Sequence, residues 1–213
     1  MNNPFDYFNM IMCINLDRRT DRWLLAQEEF KKLGILNKVQ RFSAIEHTDG
    51  RIGVIKSNLE IIKLAKKKKA KNVLVFEDDV QFIWENDPLK NLELAMKQAS
   101  SLKWQLFYLG ANTHQKLLKF NKNLILLKNA FAVHSMAYDN SIYDKFIDYA
   151  ENVNEIKKHS DILDVYLATQ IQPVHMCLMV NPILTTQRES YSDIEKTNVN
   201  YSFILDRFNQ NIK

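Results

Sequence analysis

Glycine and proline are scarce in this chain, four of each in 213 residues, and the scarcity removes several nucleotide-binding solutions at once. Neither a P-loop nor a G-x-G-x-x-G turn is present, since both need clustered glycines to bring main-chain amides against phosphate. Kinase-type and Rossmann dehydrogenase readings lose their main support. No Pro/Gly/Ser-rich linker and no repeat of solenoid period interrupts the chain. Cysteine is equally rare. Cys13 and Cys177 lie in the apolar runs MIMCINL and HMCLMVN, where a small buried thiol is expected rather than a disulfide framework. That usage fits a reducing compartment. His47, His114, His134, His159 and His175 show no HExxH spacing, and no C-x-x-C or G-x-S-x-G occurs, so zinc sites and esterase elbows find no support. No window approaches the ~18 apolar residues of a membrane span, and the start MNNPFDYF lacks a basic flank with a long apolar stretch. A cytoplasmic protein with no membrane span is the expectation.

Apolar residues make up 46% of the chain and charged residues 25%, a balance that builds one sizeable core, so residues 1–213 are read as a single domain. The net charge of +4 permits an anionic ligand without demanding one. Lys66 to Lys69, with Lys71, read as a solvated helix terminus that complements the helix dipole. Aromatic interleaving is absent there, and no nucleic-acid partner is expected.

Short apolar runs alternate with helical spacing. Strands are expected at Met10–Leu16, Val39–Ala44, Val73–Phe76, Leu106–Leu109, Leu124–Leu127, Ala130–Tyr138 and Cys177–Val180. Trp23, Ala26, Phe30 and Leu33 mark one helix, which Gly34 ends; Ile55, Leu59, Ile62 and Ala65 mark a second that follows the polar turn His47–Gly50. Ser57 and Glu60 have capping-box spacing, at the start of that helix or inside it. Further helices are expected at Leu89–Ala99, Asn140–Glu151 and Asp161–Thr169. The alternation predicts an α/β layered fold with a mixed, mostly parallel central sheet flanked by helices.

Three groups of residues carry chemistry. In VLVFEDDV an apolar strand delivers Glu77, Asp78 and Asp79 at its carboxyl end, where open α/β sheets bind ligands. Adjacent carboxylates repel one another, and a hard divalent cation, Mn²⁺ or Mg²⁺, relieves the repulsion; an acidic surface turn or helix-capping acids are the alternatives. Strand alternation would send Glu77 and Asp79 to one side and Asp78 to the other. In INLDRRTDR, Arg18, Arg19 and Arg22 suit a diphosphate or a base, and Asn15 and Asp17 suit a base edge or ribose, although surface ion pairs would use the same residues. Asp161 and Asp164, three apart at a helix start, would share a face and offer a general base; helix-dipole compensation is the simpler account.

Taken in order, INLDRRTDRW, FSAIEHTDG, GVIKSNLEIIKLAKKKKAKNVLVFEDDV, FYLG, FAVHSMAYD, the acidic stretch at Asp161 and QRESYSDI resemble glycosyltransferase family 25, the lipopolysaccharide glycosyltransferases and procollagen galactosyltransferases. The resemblance spans nearly the whole chain. It implies a GT-A-type fold, a UDP-sugar donor, a hydroxyl-bearing glycan, lipid-linked or protein acceptor, and transfer with inversion. Peripheral membrane association is left open for a lipid acceptor. It further implies Asp79 as primary metal ligand with Glu77 beside it, and Glu77 or Asp78 toward the donor ribose or sugar. Asn15, Arg18, Arg22 and Ser57 would belong to the donor site, with Gln187, Arg188 and Ser192 closing it from the carboxyl-terminal side. One departure stands out: the family carries Ser-His where this chain has Ser57-Asn58, and Asn does not titrate near neutrality. A degenerate, nucleotide- or partner-binding domain is therefore a rival reading. A metal-dependent phosphohydrolase is another, and it lacks the second acidic and Lys clusters such enzymes need.

Overall fold

The computed structural model describes residues 3–113 and 117–200. His114 and residues 201–213 of the expected domain lie outside the described residues. In chain order the first elements are β1 (Met10–Asn15), α1 (Thr20–Lys32), β2 (Val39–Ser43), α2 (Gly50–Lys67), β3 (Asn72–Glu77), β4 (Val80–Phe82) and α3 (Pro88–Ala99). Short strands follow: β5 (Leu106–Tyr108), β6 (Asn112–Thr113), β7 (Leu118–Lys119), β8 (Leu124–Leu126), β9 (Ala130–Phe131) and β10 (Ser135–Asp139). The chain then forms α4 (Tyr143–Asn152), α5 (Leu163–Tyr166), β11 (Cys177–Val180), β12 (Thr185–Gln187), β13 (Ser190–Ser192) and β14 (Thr197–Val199).

An eight-stranded sheet in the order β2-β1-β3-β10-β5-β11-β8-β7 organises these elements. β2, β1, β3, β5, β11 and β7 run one way, and β10 and β8 run the other. This is the mixed, mostly parallel sheet that the alternation predicts. Its apolar runs are continuous because both faces are covered. Met12, Ile14, Val73 and Val75 enter one core with Ile55, Leu59 and Ile62 of α2, Phe146 of α4 and Leu163 of α5. Ile11, Cys13, Leu74 and Phe76 enter the other with Ala26 and Phe30 of α1 and Leu92 and Met96 of α3. Each such side chain contributes ~1.5–3 kcal/mol by leaving water, so the layer order follows from strand alternation and helix stripes together. Both cysteines are free and buried, in β1 and β11. Among the described residues, no helix is long and apolar enough to cross a membrane.

Local chemistry shifts several expected boundaries. Gly34 ends α1 with φ of 69°, the left-handed value a terminal glycine adopts easily. α2 starts at Gly50, one turn or more before its first apolar marker, because the Asp49 side chain accepts from the Arg51 amide and caps it. Ser57 is consequently mid-helix, and its hydroxyl donates to the Gly53 carbonyl at 2.8 Å instead of forming a capping box. The run Ala130–Tyr138 is two strands, interrupted where Ala132 adopts φ of 70°.

The helix expected from Asp161 is also different. Asp161 closes a 3-10 turn (His159–Asp161), Ile162 is extended with ψ of 135°, and α5 begins only at Leu163. Asp161 and Asp164 thus do not share a helix face.

Candidate active site

A cavity of about 260 Å³ opens at the carboxyl ends of β1, β2 and β3, where the topology brings three loops together. Its walls come from Asn15 and Leu16 after β1, Ala44 to His47 after β2, and Glu77 to Asp79 after β3. The first turns of α2 close one side through Gly50, Gly53, Val54 and Ser57. Gly53 is needed here: a Cβ would lie 2.6 Å from the Ile45 carbonyl. The Ser57 hydroxyl also accepts from the Ile45 amide at 2.8 Å, so helix and loop are fastened into one wall. Ser57 reaches the cavity, yet its hydroxyl is spent on these two structural bonds.

β3 ends at Glu77, and Asp78 and Asp79 form the turn into β4. The expected alternation therefore stops one residue into the acidic triplet, and all three acids line the same cavity instead of Asp78 pointing away. Arg22, on the first turn of α1, joins two of them at 2.9 Å each, Asp78 Oδ1 through Nη1 and Asp79 Oδ2 through Nη2. Asn15 Nδ2 donates to Asp78 Oδ2 at 2.6 Å and to the Arg19 carbonyl at 3.0 Å. Asp78 thus has both oxygens engaged. Burial still pushes its pKa up to about 6, against the lowering effect of Arg22 and of the Asn15 hydrogen bond.

Glu77 and Asp79 are the unsatisfied members. Asp79 Oδ1 is buried without a hydrogen-bond partner, and Arg22 Nε, Arg188 Nε and His134 Nδ1 are unpartnered as well. No described residue donates to the Glu77 carboxylate, whose pKa is raised to about 8 by burial first and then by Asp79 and Asp78. His134 is buried and neutral, its pKa lowered to about 4 by desolvation despite the field of Asp79. Among the described residues, no three His, Cys, Asp or Glu side chains converge to cage an ion unaided. Mg²⁺ and Mn²⁺ are commonly held by one or two carboxylates plus substrate phosphate and water. A buried orphan oxygen on Asp79 and an uncompensated Glu77 fit that mode.

The carboxyl-terminal stretch reaches the acids through β12, which pairs with β4 in the register Gln187↔Val80. The Arg188 amide then donates to the Asp79 carbonyl at 2.7 Å, and Gln187 Nε2 lies 3.5 Å from Asp79 Oδ2. Gln187 and Ser192 are on the cavity. Arg188 is not among its lining residues, and its guanidinium lies 3.6 Å from the buried Glu29. Asp17 is absent from the lining too; it is exposed and engaged by Arg41 and Ser43, each at 2.7 Å. Arg18 lines the cavity, with Nη1 on Glu46 at 2.6 Å and Nη2 on Asp193 at 2.9 Å.

Asp161 Oδ2 accepts the Lys157 and Lys158 amides, both at 3.0 Å, which is a capping role. Asp164 bonds its neighbour's amide through Oδ1 at 2.8 Å, and its field reaches Glu77, but neither Asp161 nor Asp164, the two expected catalytic acids, lines the cavity. Asn58 does not line the cavity: it is buried in α2, accepts from the Tyr138 hydroxyl at 3.2 Å and donates to the Val54 carbonyl at 3.0 Å. Sequence reasoning overlooked Ile45, Gly53, His134 and Asp193. Asp193 was within reach as the neighbour of Ser192, whereas His134 sits in an apolar run that looks like plain strand.

No protein-family model and no curated protein matches the sequence. Solved structures give distant likenesses. A glycosyltransferase involved in the glycosylation of the major capsid of PBCV-1 is similar over 70% of this chain and 67% of its own, with 12% identity and a TM-score of 0.44. UDP-glucose pyrophosphorylase from Acinetobacter baumannii is similar over 83% of this chain and 71% of its own, with 11% identity and a TM-score of 0.44. The inositol-1-phosphate CTP transferase from T. maritima covers 97% and 98%, with 11% identity and a TM-score of 0.41.

Proposed function

We propose that this chain is a GT-A-type glycosyltransferase of the family 25 kind, transferring a sugar from a UDP-sugar to an acceptor hydroxyl with inversion. The observation that carries the reading is the pair of unpartnered carboxyl groups, that of Glu77 and the Oδ1 side of Asp79, in a cavity at the carboxyl ends of parallel strands. The sequence resemblance supplies the donor class.

In this reading Asp79 and Glu77 hold Mn²⁺ or Mg²⁺, which when bound would offset the charge that develops on a departing nucleotide diphosphate. The chain's own residues do the rest. Arg22 fixes Asp78 and Asp79 in one orientation, and Asn15 locks Asp78 from the β1 side. The cavity wall of Ile45 and Val54 offers apolar surface to a base, and Arg18 offers a guanidinium to phosphate. Asp164, outside the cavity lining yet close enough for its field to reach Glu77, is the candidate general base that would accept the acceptor's proton; the Asp161 carboxylate is held by two amides. Asn58 in place of the family's histidine removes no group from the cavity, since that side chain serves the core.

The test is thermal stability with UDP and a panel of UDP-sugars, with and without Mn²⁺, in wild type and Asp79→Ala. A ligand at a hundredfold excess over its Kd stabilises by ~2.7 kcal/mol. Stabilisation that needs both nucleotide and metal and is lost in Asp79→Ala is the expected result. A protein that no UDP compound stabilises would not be a UDP-sugar transferase.

A further inference from the structure

The β13–β14 hairpin forms part of the cavity wall although its ladder joins only its own two strands. Side chains tie it to the β1–α1 loop. Arg22 Nη2 meets Ser190 Oγ at 3.1 Å, and Arg19 Nη1 reaches the Tyr191 carbonyl at 3.4 Å. The main tie is Asp193. Its Oδ1 accepts from Arg18 Nη2 at 2.9 Å and its Oδ2 from Arg19 Nη1 at 2.6 Å.

Two guanidinium groups converging on separate oxygens of one carboxylate form the arrangement that arginines also use for phosphate. The cavity as it stands is poorly suited to an anion. Glu46, Asp78, Asp79, Asp193 and Glu195 outnumber Arg18, Arg22 and Lys196 on its walls. Arg22 is committed to the acids, and Arg18 is shared between Glu46 and Asp193. Releasing Asp193 removes one negative charge from the wall and frees one nitrogen of each arginine, Arg18 Nη2 and Arg19 Nη1, while Arg18 Nη1 stays on Glu46 at 2.6 Å and Arg19 Nε and Nη2 stay on Asp21 at 3.0 Å each. The Arg18 arm of the tie is the openable one, its side chain being 49% exposed so that solvent screens the pair, whereas the Arg19 arm is enclosed and is the firmer hold.

We propose that Arg18 and Arg19 form a phosphate-binding site which the Asp193 carboxylate occupies in the free protein, so that a phosphate or diphosphate group must displace the hairpin to bind. The proposal deepens the donor reading of the same cavity and rests on it only for the identity of the natural ligand. Asp193 is then an internal competitor, and the protein's apparent affinity for the anion is reduced by the fraction of molecules with the hairpin closed.

Inorganic pyrophosphate in metal-free buffer is the probe, which keeps the test independent of nucleotide, sugar and metal. Hydrogen exchange of residues 190–199 should accelerate in wild type as pyrophosphate is added. In Asp193→Asn that segment should exchange fast from the start, and pyrophosphate should bind roughly three- to tenfold more tightly by calorimetry. The double variant Arg18→Gln/Arg19→Gln should lose that binding. Exchange that slows or stays constant with pyrophosphate overturns the proposal, because the hairpin would then close on the ligand or ignore it. Equal or weaker binding by Asp193→Asn, or no binding by either protein, overturns it as well. A protein that passes and yet turns over no UDP-sugar keeps this site and loses the donor reading; turnover with a failed pyrophosphate test does the reverse.

Discussion

Glu29 is buried on α1 and Glu77 is half-buried on the cavity at the end of β3, and their surroundings differ in kind. Glu29, on α1, accepts from the Phe82 amide at 3.0 Å and from Trp84 Nε1 at 3.3 Å, with Lys32 at 3.5 Å and Arg188 at 3.6 Å. Glu77 has no donor among the described residues and two carboxylates beside it. A buried charge surrounded by donors joins elements of the fold, here α1 to β4 and to the Arg188 segment. A half-buried carboxyl without donors keeps its proton at neutral pH, and a group perturbed in this way is commonly found where a ligand supplies the missing partner. Asp161 and Asp164 repeat the contrast on a smaller scale, one carboxylate held by two amides and the other by one.

The contrast between partnered and unpartnered carboxyl groups makes measurable claims. The largest effect is expected in turnover: Asp164→Asn should lower kcat by ~10²–10⁴, the range of a general base, while Asp161→Asn should leave kcat near wild type. Equal loss in both would remove the distinction. Next, Arg22→Ala should destabilise the protein by ~3–5 kcal/mol in urea unfolding, since it strips the shared cation from buried Asp78 and Asp79. A loss below 1 kcal/mol would mean that solvent already screens the pair.

The smallest effects belong to the glutamates, and they should have opposite signs. Glu29→Gln should cost ~1–3 kcal/mol, because an amide cannot serve all the donors the carboxylate serves. Glu77→Gln should instead stabilise the metal-free protein at pH 7. Glu77 in the unfolded chain ionises near 4.5, whereas in the folded protein it holds its proton to about 8. Between those values the folded state binds more protons, so its contribution to stability is full below pH 4.5 and is lost as pH rises toward 8. His134 acts in the other direction, adding stability as pH rises from about 4 to 6.5. Melting temperature against pH should therefore fall less steeply above pH 6.5 in Glu77→Gln than in wild type.

Much of this architecture was legible in the residues alone. Val73 to Phe76 read as a strand because four consecutive apolar residues must serve two cores, and the acids at its end followed from where the run stops. The helix stripe Ile55, Leu59, Ile62 and Ala65 and the terminal Gly34 were equally local signals. Local spacing misled where the backbone left regular geometry. The alternation expected through Glu77, Asp78 and Asp79 ended in a turn, and the helix expected from Asp161 was split at Ile162.

The sequence by itself determined the layers, since periodicity of burial is written every two or every three to four residues and needs no knowledge of distant chain. Which charges are satisfied depends on contacts between residues far apart in the chain. Asn15 meets Asp78 across 63 positions and Arg18 meets Asp193 across 175, pairings that exist because the topology gathers the ends of β1, β3 and the carboxyl-terminal hairpin at one edge of the sheet. Charge compensation depends on distance and dielectric, and both are properties of the folded arrangement.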